Sequence, residues 1–71
     1  MPRYYFHLVA DGLEVPDLIG TDLEGLAAVR QYAEMHLADI WAQRVLAGKP
    51  PLTGWLDVVD GEERAVMRLP L

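Results

Sequence analysis

The sequence predicts an α+β domain, ordered ββαββ, in which one helix lies across one face of a four-stranded, mostly antiparallel sheet. Three observations predict it. Aromatic and branched runs near both ends of the chain are interrupted by Asp-Gly pairs, Asp11-Gly12 and Asp60-Gly61, and that dipeptide suits the positive φ values of a tight hairpin. An alanine-rich stretch without proline lies between them and runs to Ala47, a composition that favours helix. The chain is also 52% apolar over 71 residues, more than an acidic disordered chain carries. Two hairpins bracketing one helix are best satisfied by a single sheet with the helix on one side. We therefore expect residues 1–71 to form one domain, since independent domains are rarely smaller than about 50 residues.

The first strand is Arg3-Tyr4-Tyr5-Phe6-His7-Leu8-Val9, rich in residues that favour a pleated surface. Alternation places Tyr4, Phe6 and Leu8 on one face and Tyr5, His7 and Val9 on the other. Both rows are largely apolar, so the pattern leaves open which one meets the core. Leu13-Glu14-Val15 returns as a short strand, and Pro16 ends it or confines it to an edge. Asp17 to Gly20 form a loop. Thr21-Asp22-Leu23-Glu24 has the pattern of a capping box, with the Thr21 hydroxyl accepting from the Glu24 amide and the Glu24 carboxylate reaching back.

Along the helix, Leu26, Val29, Ala33, Leu37 and Ile40 fall on one stripe, flanked by Trp41 and His36. Arg44 extends the stripe at the negative end of the helix dipole. Gly48 supplies a left-handed cap, and Pro50-Pro51 forbid continuation. Trp55 to Val59 form the next strand. Arg64 to Leu69 close the chain, with Ala65, Met67 and Leu69 expected on one face and Arg64, Val66 and Arg68 on the other.

Most chemistry is disfavoured by what is present. There is no cysteine, hence no disulfide, thiol nucleophile or thiolate metal site. No apolar run approaches the roughly 20 residues of a membrane span, and the N-terminus lacks a basic-then-apolar signal, so we expect a cytoplasmic protein. His7 and His36 are the only histidines, and their surroundings lack the spacing of a metal motif; contact roles suit them better. Asp11, Asp17, Asp22, Asp57 and Asp60 fall in turns, at a cap or in a strand, where local hydrogen bonding explains the turn positions. Asp60-Gly61-Glu62-Glu63 lacks the alternating ligands of a calcium loop. There is no serine; of the two threonines, Thr21 is explained as a cap. No catalytic, cofactor-binding or metal-ligating residue is assigned, and no enzyme is expected.

Tyr4-Tyr5-Phe6 and Trp55 could stack on bases, as in single-strand binders. A net charge of −5 opposes this, because such binding draws its affinity from basic side chains. Arg3, Arg64 and Arg68 could gather on one sheet face, which keeps a weak nucleic-acid or small-ligand binder as an alternative.

Two resemblances add to this reading. Pro2-Arg3-Tyr4-Tyr5-Phe6-His7-Leu8 resembles the opening of a family of small bacterial proteins known only as a domain of unknown function. Its members continue with an Asp-Gly turn, an Asp-x-x-Gly loop, an alanine-rich helix and a Trp-containing strand before an acidic turn. Here these are Asp11-Gly12, Asp17 to Gly20, Leu26 to Ala47, Trp55 and Asp60. That resemblance implies no activity. Val15-Pro16-Asp17-Leu18-Ile19-Gly20 is similar to the Val-Pro-Asp-Leu-Pro-Gly loop of HicB-type antitoxins over about 30 residues, departing at Ile19. Their C-terminal DNA-binding module has no counterpart in these residues. This second resemblance implies an oligomeric antitoxin whose partner is a basic ribonuclease toxin.

One helix covers only part of one face of four strands. The other face would carry one row of the first strand together with Trp55 or Leu56, and an apolar sheet face left in water is a site of association. A small core also gains from added burial. We therefore expect a non-catalytic interaction or regulatory module that forms a homodimer through the open sheet face or an edge and binds a further protein. Tyr5, His7 and Trp55 are the candidate interaction face.

Overall fold

In a computed structural model that describes residues 2–71, the chain forms β1 (Arg3–Ala10), β2 (Leu13–Val15), β3 (Thr21–Asp22), α1 (Leu26–Leu46), β4 (Gly54–Val59) and β5 (Ala65–Pro70). The sheet has five strands rather than the four expected. Its order is β2-β1-β4-β5, with β3 also paired to β1, and every pairing is antiparallel. The α+β class and the helix on one side of the sheet are as expected.

The additional strand occupies the place of the expected capping box. Thr21 pairs with Tyr4 and Asp22 with Arg3. Arg3 secures the pairing with two hydrogen bonds to the Asp22 carboxylate, at 2.9 and 3.3 Å, and the Leu23 amide donates to the Pro2 carbonyl. With Thr21 extended in a ladder, the helix starts later, at an N-cap Gly25 that has no side-chain cap and no acidic residue in the following turn. The local capping signal loses to a tertiary strand pairing.

The opposite end of α1 follows the sequence closely. Gly48 takes φ 66°, its amide donates to the Val45 carbonyl, and the Lys49 amide donates to the Arg44 carbonyl, which together make a Schellman closure. Arg44 reaches over this end and donates twice to the Pro50 carbonyl, at 2.9 and 2.6 Å.

Tyr4, Phe6, Val29, Ala33, Leu56, Val58 and Leu69 form the core. This settles the parity that alternation left open: the Tyr4–Phe6 row faces the helix, and the Phe6 ring meets Tyr32 at 4.8 Å between centroids. Of the expected stripe, Val29 and Ala33 are fully buried and Leu37 packs partly, but Leu26 is 59% exposed. It is the first helical residue, a turn ahead of the sheet contacts made by Val29. The last strand also departs from simple alternation. Val58 pairs with Met67 while Val59 pairs with Ala65, so Val66 is the extra residue of a bulge. The bulge turns Val66 towards the core and leaves Ala65 exposed opposite Val59, which reverses the expected faces of both.

The two Asp-Gly turns differ. Asp11 and Gly12 have φ 53° and 79°, the geometry of a two-residue hairpin loop. In the second, Asp60 Oδ1 accepts from the Glu62 and Arg64 amides, and Glu63 at φ 62° takes the left-handed position.

Candidate functional site

Tyr5, His7 and Trp55 lie together on the sheet face away from the helix. Tyr5 pairs with Val59, His7 with Asp57 and Val9 with Trp55, and paired residues point to the same side. The remaining candidate histidine, His36, lies on the helix side, near Tyr32 at 6.4 Å between rings. The two histidines are thus separated by the sheet. Among the described residues, no group of three or more His, Asp or Glu side chains converges as a metal site would require.

The helix-free face is mixed in character, more polar than the apolar face expected. The Arg68 guanidinium sits over the Trp55 ring at 4.5 Å, a favourable cation–π placement. Arg68 also donates to both oxygens of Asp57, at 2.6 and 3.2 Å, and the Trp55 indole N–H donates to Asp57 Oδ2 at 3.2 Å. These contacts fix the indole, which is 36% exposed, in one orientation. Arg3 and Arg64, the other arginines that could have formed a basic patch, lie against Asp22 and against Asp60 and Glu62. Hydrogen bonding and charge from Arg3 hold the Asp22 carboxyl below the usual carboxylate range. The Arg64 and Glu62 amides, with the Arg64 charge, do the same for Asp60.

A second arrangement lies along the edge of β1, and sequence reasoning had treated its main residue only as a loop aspartate. Between the residues of β1 paired by β3 and those paired by β2, the strand has no partner strand on this side among the described residues. The Asp17 carboxylate takes that place. Its Oδ2 accepts from the Phe6 amide at 3.1 Å, and its Oδ1 accepts from the Ile19 and Gly20 amides at 3.1 and 3.0 Å. The Asp17 amide in turn donates to His7 Nδ1 at 3.0 Å, which places the imidazole proton of neutral His7 on Nε2. Burial opposes charge on Asp17, but the Gly20, Phe6 and Ile19 amides outweigh it and hold its carboxyl below the ordinary range. Gly20 is required for the loop to close: φ is +78°, and a Cβ there would lie 2.8 Å from both Arg3 Cγ and the Tyr5 ring. The Asp-x-x-Gly spacing was the available signal; the Phe6 partner was not.

Above this edge, between the loop and α1, runs a groove of about 530 Å³ lined by Phe6, Leu8, Val15, Ile19, Tyr32 and His36, among others. It is open and chiefly apolar, a character that suits burial of side chains better than polarisation of a substrate.

The fold and these surfaces define a class: a small α+β domain built on antiparallel hairpins, with an amphipathic sheet face and an apolar groove at one edge. Residues 3–71 match the family described as a domain of unknown function, DUF6894, and the chain belongs to that family. No curated protein and no solved structure matches the chain.

Proposed function

We propose that this domain is a non-catalytic protein–protein interaction module that self-associates and presents its helix-free sheet face to another protein. The observation that carries the reading is the placement of Tyr5, His7 and Trp55 on one side of the sheet, the side away from α1, over which no helix or strand of the described residues lies. Trp55 is held by Asp57 and Arg68, and a fixed aromatic beside a charged pair gives contact area with little ordering cost. The pairing of Arg3, Arg64 and Arg68 with carboxylates, on a chain of charge −5, favours a protein partner over nucleic acid.

The test has two parts. Light scattering across a dilution series measures the molar mass, and a monomer at every concentration would sink the self-association. Capture from native extract then compares the wild-type chain with a Tyr5→Ala/Trp55→Ala variant. A stoichiometric partner is expected with the first and not the second. Equal recovery with both would exclude the sheet face, and recovery of a small basic ribonuclease would favour the antitoxin alternative.

A further inference from the structure

We propose that His7 is a pH-sensitive latch on the Val15–Gly20 loop: the neutral ring fastens the loop backbone to β1, and a second proton on the ring releases it. This goes beyond the reading above and holds whatever the helix-free face binds.

The latch follows from the direction of one hydrogen bond. The Asp17 amide is the donor and His7 Nδ1 the acceptor, at 3.0 Å. An imidazole accepts only through a nitrogen that carries no proton, and the imidazolium has none. Once His7 is charged, no turn of the ring gives the Asp17 amide an acceptor, and a ring N–H facing a backbone N–H pushes the two apart. Histidine changes charge between about pH 8 and pH 5. The Asp17 carboxyl, held below its ordinary range, stays ionised throughout, so the ring is the switching part of this contact.

Little else holds the loop. Val15 is 59% exposed, Leu18 86% and Ile19 77%, so apolar burial gives it small purchase, and segments of that kind open locally at low cost. Its other ties are polar. The Asp17 carboxylate accepts from the Phe6 amide and folds the loop on itself through Ile19 and Gly20, while Arg3 donates to the Ile19 carbonyl. The bond to His7 is what ties the backbone at Asp17 to the strand.

The groups facing the half-buried ring allow it to charge within the fold. Asp57 stands directly across on β4, with Arg68 and the Trp55 indole on its oxygens. Glu14 of β2 shares the face, since it pairs with Val9. Along β1 the neighbour is Tyr5, and Arg3 beyond it is taken by Asp22. Asp17 faces the ring from the loop. From α1 nothing charged reaches it, because the helix and His36 lie across the sheet. These carboxylates supply counter-charge, so the proton should act on the loop and leave the sheet standing. As the loop forms one wall of the groove and His7 stands on the helix-free face, a single proton alters both surfaces.

NMR of the full chain from pH 8 to pH 5 follows the His7 ring nitrogens and the exchange protection of the Asp17 amide, corrected for the intrinsic pH dependence of exchange. At the upper end Nδ1 should be bare and Nε2 protonated. Along the ring's own titration the Asp17 amide should lose about tenfold in protection, the equivalent of one hydrogen bond, while the Leu56 and Val58 amides stay protected. His7→Asn puts an oxygen in the place of Nδ1 that does not titrate, and should keep the Asp17 amide protected throughout; His36→Gln should leave the switch intact. A proton on Nδ1 at pH 8, or equal protection of Asp17 in both charge states of His7, would overturn the proposal. So would an Asp17 amide that loses protection in His7→Asn as it does in wild type. If that variant does not fold, the two wild-type measurements decide the matter alone.

Discussion

β1 is held differently along its two flanks. On one side β4 pairs with it continuously from Tyr5↔Val59 to Ala10↔Gly54. On the other side three separate pieces share the work: β3 at Arg3 and Tyr4, the Asp17 carboxylate at Phe6, and β2 from Leu8 to Ala10. The continuous flank carries the core and is built from alternating side chains. The divided flank carries little core, and it leaves a chiefly apolar groove open beside it. A strand needs its amide donors satisfied, but a neighbouring strand is not the only way to do so. Using a loop carboxylate leaves an edge that cannot template further strand pairing at that point.

Mutations separate the two flanks. Leu56→Ala, in the fully buried centre of β4, should cost about 2–5 kcal/mol in denaturant unfolding, enough to threaten a domain this small. At the end of the same ladder, Gly54 has φ +146° and a Cβ there would lie 2.0 Å from the Val9 carbonyl oxygen. Gly54→Ala should therefore cost roughly 2–4 kcal/mol, and a near-neutral result would mean that the β1–β4 register tolerates opening.

On the divided flank, Asp17→Ala leaves the partly buried Phe6 amide without its acceptor and should cost about 1–3 kcal/mol. Asp17 also confers a pH dependence of defined sign. Its folded carboxyl titrates below its ordinary value, so its stabilisation is complete above the unfolded pKa of about 3.9 and is lost as the pH falls through the folded value. Unfolding measured from pH 6 down to pH 2 should show a weaker acid dependence in Asp17→Asn than in wild type, and an unchanged profile would remove the carboxylate from its assigned place. The smallest effect lies just beyond β3. Gly25→Ser should add an N-cap hydrogen bond and raise stability by a few tenths of a kcal/mol, whereas Glu24→Ala should be close to neutral. The reverse pair of results would restore the capping box at Thr21 and dissolve β3.

The same contrast explains what could be read from residues alone. The Asp11-Gly12 hairpin, the helix end at Gly48 and the strand at Trp55 are written in local chemistry and stand where expected, whereas at Asp60-Gly61 the left-handed position falls to Glu63 instead of the Asp-Gly pair. The shared face of Tyr5 and His7 follows from alternation; the side on which it lies does not, because both rows of β1 are apolar and only the packing of Phe6 under Tyr32 decides it. β3 was hidden because Thr21 and Glu24 satisfy a helix-capping pattern as readily as Asp22 satisfies Arg3. Val66 was assigned to the wrong face because one inserted residue shifts the parity of everything before it in the strand. Asp17 was legible as a turn residue, but its role on Phe6 depends on a partner distant in the chain.

The β1–β4 ladder also sets the order in which the domain can come into being. It joins residues near the start of the chain to residues in its last third, and the entropy of closing so long a loop must be met before the pairing gives anything back. Neither hairpin alone supplies the surface that covers Val29. As the chain leaves the ribosome, β1, β2 and the helix emerge first, and the core they begin lacks Leu56 and Val58 until β4 follows. The domain should therefore complete its core only once β4 has emerged, and fold slowly for its length.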